Sequence, residues 1–333
     1  MIRVRSQRAA RPAGNSLSLR VLTRLSVVDD DNHFPAALRC SFLTTASIRY
    51  NPRMSDSPCD LLHILDRPSL EDATLVLAFT GWMDGGDVST GTVKRLVDLL
   101  DAKPMAEIDS EPFYIHNFPG SMEIAALFRP HIKIEDGIVQ SVDMPSNDFY
   151  YNEDANLVLF VGKEPNMRWE TFGECIFQLA RETGISRILF VGSFGGSVPH
   201  TREPRLYVSC SEPHLLEEME QYGVRRTGYE GPGSFVSYLM TQVPNTGLQM
   251  TSIVAEIPGY LQGANPLCIE AVTRRLAKIL KLPLDLDTLR SASTQWELNV
   301  SSAVEDDEEL AGKIREMEEE YDDDLLELEA EEG

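Results

Sequence analysis

Residues 188–191, Ile-Leu-Phe-Val, run without a polar interruption into Gly192, Ser193, Phe194, Gly195, Gly196 and Ser197. Few folds tolerate an apolar run that feeds straight into glycine. In α/β proteins this pattern ends a strand buried on both faces and brings bare backbone to a surface cleft. The stretch continues through Val198, Pro199, His200, Thr201 and Arg202 to a second β-like run, Leu206 to Val208. A site, if the chain has one, is expected here or beside a spatial neighbour.

Two other continuous apolar runs read as central strands, Leu75 to Thr80 and Leu157 to Val161. The first meets a glycine loop, Gly81 to Asp87. A helix follows with Val88, Val93, Leu96, Val97 and Leu100 on one face, ending before Pro104. Asp84 or Asp87 is placed to cap its first turn. The second run leads to a helix from Trp169 to Arg181, closed by Gly184, and then directly to the run at 188–191. This β–α–β order predicts neighbouring parallel strands. Between these units lie short β-like runs at Ala106 to Ile108, Phe113 to Ile115, Ile132 to Ile134 and Ile138 to Val142, with a hairpin turn at Glu135 to Gly137. Beyond Val208 come a helix from Pro213 to Tyr222, a strand from Leu248 to Ile257, and a long helix opened by Asn265 and Pro266 and running to Leu280. The alternation predicts a three-layer α/β/α domain around a mixed, largely parallel sheet.

Charge divides the chain into three parts. The net charge is −23 over 333 residues. Residues 1–54 are rich in Arg, Ser and Ala without periodicity and read as a disordered or spurious extension; the first 53 hold nine Arg and three Asp. Residues 55–290 are the expected α/β/α domain. Residues 291–333 read as an amphipathic acidic helical tail, with sixteen acids against two bases from 301 onward. There Leu310, Ile314, Met317, Tyr321, Leu325 and Leu328 recur at helical spacing behind a capping-box pattern, Ser302 to Glu305. The pattern fits a docking seam and a solvated helix lying on its own domain equally well. The acidic body disfavours nucleic acid and anionic membrane surfaces. The five cysteines lie far apart, without zinc or redox spacing, as expected of reduced thiols in a cytoplasm.

Candidate chemistry concentrates in two loops. Gly81, Asp84, Gly85, Gly86 and Asp87 follow the first strand; Ser193, Gly195, Gly196, His200 and Arg202 follow the third. Glu230, in the segment YEGPGS at 229–234, is read as a further cleft acid or a helix cap. The loop at Gly81 to Asp87 lacks the spacing of a P-loop and of a dinucleotide fingerprint. Val191 stands where a nucleophile elbow around Ser193 needs its first glycine, and His200 follows too soon for a hydrolase triad. Against the cleft reading stands a structural one, in which an Asp caps the helix, Arg202 pairs with an acid and His200 bridges loop backbone. His116, His131 and His214 stand alone. No metal site and no cofactor are expected.

Four ordered blocks carry a resemblance: GWMDGGD at 81–87, VPHTR at 198–202, YEGPGS at 229–234 and IPGYLQGANP at 257–266. Together they resemble the proteasome assembly chaperone 2 family over roughly residues 60–285. The resemblance implies a three-layer α/β/α fold similar to nucleoside phosphorylases and a tendency to homo-oligomerise, as a trimer or larger. Eukaryotic and archaeal relatives act as assembly chaperones for the proteasome core particle. Some bacterial members have been linked instead to ATP-dependent carboxylate–amine ligases. Members that insert into proteasome pockets can carry a C-terminal hydrophobic–Tyr–any-residue motif, which Glu331-Glu332-Gly333 does not match. Two readings follow. One is a non-enzymatic oligomeric scaffold or assembly chaperone, with itself and a client protein complex as partners. The other is a cleft enzyme or small-ligand binder, phosphorylase-like or ligase-like. The missing nucleophile–base pair and phosphate lysine favour the first.

Overall fold

The computed structural model describes residues 58–332; the extension expected over 1–54 lies outside the described residues. In chain order the strands are β1 (Leu62–Ile64), β2 (Ala73–Thr80), β3 (Lys103–Ile108), β4 (His131–Glu135), β5 (Ile138–Asp143), β6 (Asn147–Asn152), β7 (Leu157–Lys163), β8 (Ile185–Gly196), β9 (Arg205–Cys210), β10 (Arg225–Arg226) and β11 (Gln249–Pro258). The helices are α1 (Pro58–Leu61), α2 (Val88–Leu99), α3 (Met122–Ala126), α4 (Trp169–Thr183), α5 (Pro213–Glu220), α6 (Phe235–Gln242), α7 (Pro266–Ile279), α8 (Asp287–Glu305) and α9 (Glu308–Glu332).

Among the described residues, nine strands form one sheet in the order β1-β3-β6-β7-β2-β8-β11-β9-β10. The central four, β7, β2, β8 and β11, are mutually parallel. The β1–β3–β6–β7 flank and the β11–β9 pair are antiparallel. The sheet is therefore mixed, with its main parallel part at the centre. There the strands are buried on both faces, and only the last residue of β2 is exposed. A continuous apolar run suits this position and no edge. β7 and β8 are parallel, but they are not neighbours, because β2 lies between them. Its apolar run pairs on both sides and takes the centre from the β7–α4–β8 unit.

Two cores lie on opposite faces of the sheet, which makes the layers three. On one face Leu75, Leu77, Phe79, Phe160 and Phe190 meet Phe172 of α4 and Phe235 of α6. The Phe79 ring sits 5.1 Å from Phe160 and 5.5 Å from Phe235. On the other face Val76, Ala78, Leu159, Leu189 and Val191 meet Val93 and Leu96 of α2 and Val272 and Leu276 of α7. Each buried side chain of this size contributes about 1.5–3 kcal/mol. Gly184 ends α4 in the left-handed conformation, as its position predicts.

Three local expectations change. The strand expected at Ile188 to Val191 runs on to Gly196, because β11 pairs with it over ten residues, from Gln249–Arg187 to Pro258–Gly196. The glycines do not interrupt the strand; they clear room around it. A Cβ on Gly192 would sit 2.6 Å from the Phe190 ring, and one on Gly196 would collide with the Glu256 side chain. The β-like run at Phe113 to Ile115 is not a strand: a tight 3-10 turn occupies Glu111–Phe113. Phe113 instead drives its ring against Phe172, 4.8 Å between centroids. The pattern at Ser302 to Glu305 does not start a helix, since α8 passes through it and across the expected boundary at 290–291. α9 opens instead behind Asp307, whose carboxylate accepts the N–H groups of Glu309 and Leu310.

Gly196→Ala is expected to destabilise the protein by about 1–3 kcal/mol through overpacking against Glu256. Gly312→Ala, within α9 and with open space around the new methyl, is expected to stabilise it by up to about 1 kcal/mol. Urea denaturation of the two variants against the parent checks both signs.

Candidate functional site

The carboxyl ends of β2 and β8 and the N-terminus of α6 frame a cavity of about 670 Å³. Phe190 and Val254 line it from the sheet, Trp82, Phe194 and Tyr229 from the loops and strand end at its rim, and Val236 and Met240 from α6. Cavities at the carboxyl ends of parallel strands are where α/β proteins bind ligands. The α6 wall is fixed by a capping box in which Ser234 and Ser237 cap one another's backbone. Glu164, just past β7, adds a second restraint: its carboxylate accepts the Phe235 N–H at 2.7 Å and the Trp82 N–H at 3.3 Å. One acid thus ties the rim loop to the helix start, where a negative charge is favoured.

The sequence candidates separate into three groups. Asp84, Gly85 and Ser193 come together. Ser193 donates its N–H to the Met83 carbonyl at 2.8 Å and its hydroxyl to the Gly85 carbonyl at 2.7 Å. Asp84 accepts both the N–H and the hydroxyl of Thr90, at 3.0 and 2.8 Å, and so secures the first turn of α2. Burial raises its pKa to about 6. Of the candidates, Gly85, Ser193 and Gly195 line the cavity. Gly81 and Gly86 shape the loop at φ 139° and 62°; the Gly86 carbonyl accepts the N–H of Asn265, which caps α7. Asp87 is exposed and left-handed at φ 53°.

His200 and Arg202 are engaged elsewhere. The Tyr260 hydroxyl accepts the His200 backbone N–H at 2.8 Å and lies 2.7 Å from Nδ1, while Nε2 is 3.1 Å from the Ser301 hydroxyl. A neutral ring satisfies all three contacts: Tyr260 donates to Nδ1, and Nε2–H donates to Ser301. Burial lowers the His200 pKa and raises that of Tyr260 to about 12, which keeps both neutral. Arg202 makes a two-pronged ion pair with Asp322 of α9, at 2.9 and 2.8 Å, and Thr201 donates to Glu318. Both His200 and Arg202 are thus held within the fold, away from the cavity. Glu230 is exposed, and the cap of α6 is Ser234.

Beside this loop runs a charge network that the sequence reading missed. Glu256 is buried in β11 against Gly196. It accepts the Ser197 N–H at 2.8 Å and the Tyr207 hydroxyl at 3.2 Å, with Arg205 at 3.6 Å. Arg205 also meets Asp324 at 3.0 Å and stacks over the Tyr321 ring at 4.5 Å. Arg225 holds the same Asp324 at 2.7 Å. The acidic helix α9 is therefore seated on three arginines, Arg202, Arg205 and Arg225, with its own Ile314 and Tyr321 buried. An acid inside the otherwise apolar run at 253–258 was the available signal for Glu256. The arginines' partners on α9 lie 99 to 120 residues further on, and no local pattern pairs them. Among the described residues no cluster of ligating side chains fits a metal ion.

Asp84 gives a pH dependence of known sign. Its folded pKa of about 6 lies above its ordinary value of 3.8, so folding favours its protonated form. Its contribution to stability falls as pH rises from about 4 to about 6, by on the order of 2 kcal/mol. Asp84→Asn is expected to flatten that part of the urea-midpoint profile; an unchanged slope refutes the assignment. Arg202→Glu places like charge against Asp322 and Glu318, and hydrogen exchange is expected to quicken across 308–332 while β2 stays protected.

The chain is 26% identical to the Mycobacterium tuberculosis proteasome-assembly chaperone homologue, with TM-score 0.62, the match covering 72% of this chain and 99% of that one. It is 26% identical to a PAC2 family protein from Streptomyces avermitilis, with TM-score 0.61 and coverage of 73% and 99%. It shares its fold with the Pyrococcus furiosus archaeal proteasome activator PbaB at 19% identity, TM-score 0.57 and coverage of 73% and 97%. No protein with a curated description matches the chain. The sequence profile of the PAC2 family matches residues 78–304, more than half of the chain, and the chain belongs to that family.

Proposed function

We propose that the chain is a non-enzymatic, self-associating scaffold of the assembly-chaperone kind, whose cavity grips apolar side chains of a client protein in the cytoplasm. One observation carries this reading. The cavity at the ends of β2 and β8 is walled by aromatic, aliphatic and hydroxyl residues, and among the described residues that line it there is no carboxylate, amine, guanidinium, imidazole or thiol. A cleft enzyme of phosphorylase or ligase type needs a general acid or base and cationic contacts for phosphate. The groups that looked suitable are used within the fold, Asp84 by Thr90 and Arg202 by Asp322. An apolar cavity with a polar rim is instead suited to the anchoring side chains of another protein. The family's chaperone homologues lend the reading support. The thiols of Cys210 and Cys268, neither in a disulfide, support a cytoplasmic setting. No helix among the described residues is long and apolar enough to cross a membrane.

ATP, adenosine and inorganic phosphate are expected to leave the melting temperature unchanged, whereas a bound ligand at a hundred times its Kd adds about 2.7 kcal/mol. Ser209→Trp, which fills the cavity from its β9 wall, is expected to abolish client capture in native pull-downs while leaving the fold intact by circular dichroism. Stabilisation by a nucleotide that Ser209→Trp removes would favour the ligand-cleft reading.

A further inference from the structure

The carboxyl end of β2 borders a second cavity, of different chemistry. The register sets Thr80 opposite Lys163 of β7, and both line a space of about 280 Å³. Between β3 and β6 the chain leaves the main sheet and builds the separate two-stranded β4–β5 ribbon, whose first and last residues, His131 and Asp143, line the same space. Lys94 of α2, His116 and Arg129 complete the charged part of the wall. His116 and His131, isolated in the sequence, thus meet at one place. Asp143 is the one acid among the described residues of the wall, and it already lies 3.2 Å from His131. In a chain of net charge −23 this is a local reversal of charge, set at the strand ends where α/β proteins bind ligands.

Lys163 is the informative member. Elsewhere in the fold, half-buried arginines are paired with carboxylates: Arg202 with Asp322, Arg205 with Glu256 and Arg274 with Glu270. Lys163 is set back as they are, and burial lowers its pKa with no acid to offset the cost. Its ammonium lies 5.7 Å from the centre of the Tyr114 ring, and the buried Tyr114 hydroxyl donates to its carbonyl at 2.6 Å. The lysine is therefore held in place by an aromatic ring and a backbone contact, and its charge is left for an anion. We propose that this cavity binds a small organic acid, its carboxylate against Lys163 and Lys94 and its carbon body against Phe128, Pro130 and Val161. Two features select a carboxylate over phosphate. Phosphate sites draw on backbone N–H groups at a helix N-terminus or on arginine forks. Here α2 meets the cavity through Lys94, past its first turn, and Arg129 donates to Asn117 at 3.2 Å. The apolar part of the wall, in turn, suits a carbon body and gives a bare phosphate nothing. At roughly 30 Å³ per water the volume of about 280 Å³ holds about nine waters, the size of benzoate and well short of a nucleotide. The site shares no lining residue with the apolar cavity at β2 and β8, so its failure leaves the client reading standing.

The test is calorimetric titration of the full chain with sodium benzoate and sodium hexanoate, with benzamide as the neutral control at equal ionic strength. The two acids are expected to bind with Kd on the order of 1 mM, and benzamide at least tenfold more weakly, at about 10 mM or above. Lys163→Gln is expected to weaken the acids about tenfold, the loss of one charge-assisted contact, with an unchanged circular dichroism spectrum. Asp143→Asn, which removes the acid of the wall, is expected to tighten them, a gain that misfolding cannot imitate. The proposal is overturned if neither acid binds, if benzamide binds as benzoate does, or if Lys163→Gln binds benzoate as the parent does. Tighter binding of inorganic phosphate than of benzoate overturns the choice of carboxylate. Benzoate binding that Ser209→Trp removes and Lys163→Gln does not would put the acid in the apolar cavity, and overturns the site.

Discussion

The ten-residue ladder between β8 and β11 is the constraint on which the rest of the structure depends. It carries β8 past its apolar segment, through Gly192, Gly195 and Gly196, to the edge of the domain. That extension is possible only because the glycines leave space for Phe190, Gly259 and Glu256. The site follows from it. Ser193 and Gly195 reach the cavity, Ser197 reaches Glu256, and the following loop delivers His200 and Arg202 to the C-terminal helices.

Those helices consume what looked like chemistry. In a protein of net charge −23, three arginines brought to one edge by β9, β10 and the loop after β8 are a strong local potential. α9 meets it with Glu318, Asp322 and Asp324 from its own acidic run. The exposed pairs are worth little singly. The inner pair of Arg205 and Glu256 is different: both are nearly enclosed, and removing either strands the other's charge. The acidic tail is therefore a docked element of the fold, and it holds the loop it covers through Thr201 and Arg202.

Much of the fold was legible because the signals were local. The continuous apolar runs of β2, β7 and β8 suit central strands and nothing else, and the face periodicity of α2 and α4 marks helices that cover a sheet. Turn chemistry placed the hairpin at Asp136 and Gly137. β6 carries no such signal, because Asn147 and Asn152 frame an alternating half-buried strand without a continuous apolar run. Nor does α8, whose apolar residues are sparse along nineteen residues. The candidate site was legible in composition and not in assembly: the glycines, Asp84 and Ser193 stood out, but their roles turned on partners far away in the chain.

The sequence by itself determined the α/β class, the central strands, the glycine edge and the family, because each depends on residues within a few positions of one another. Only the tertiary structure decided that β2 separates β7 from β8, that His200 and Arg202 face the C-terminal helices and not Asp84, and that the described residues lining the cavity include no carboxylate, cation or imidazole. Among the described residues it also left the apolar face of the β4–β5 ribbon about half exposed. Pairing order, burial and charge neutralisation are settled between segments as much as 120 residues apart, and no periodicity along the chain encodes which of them meet.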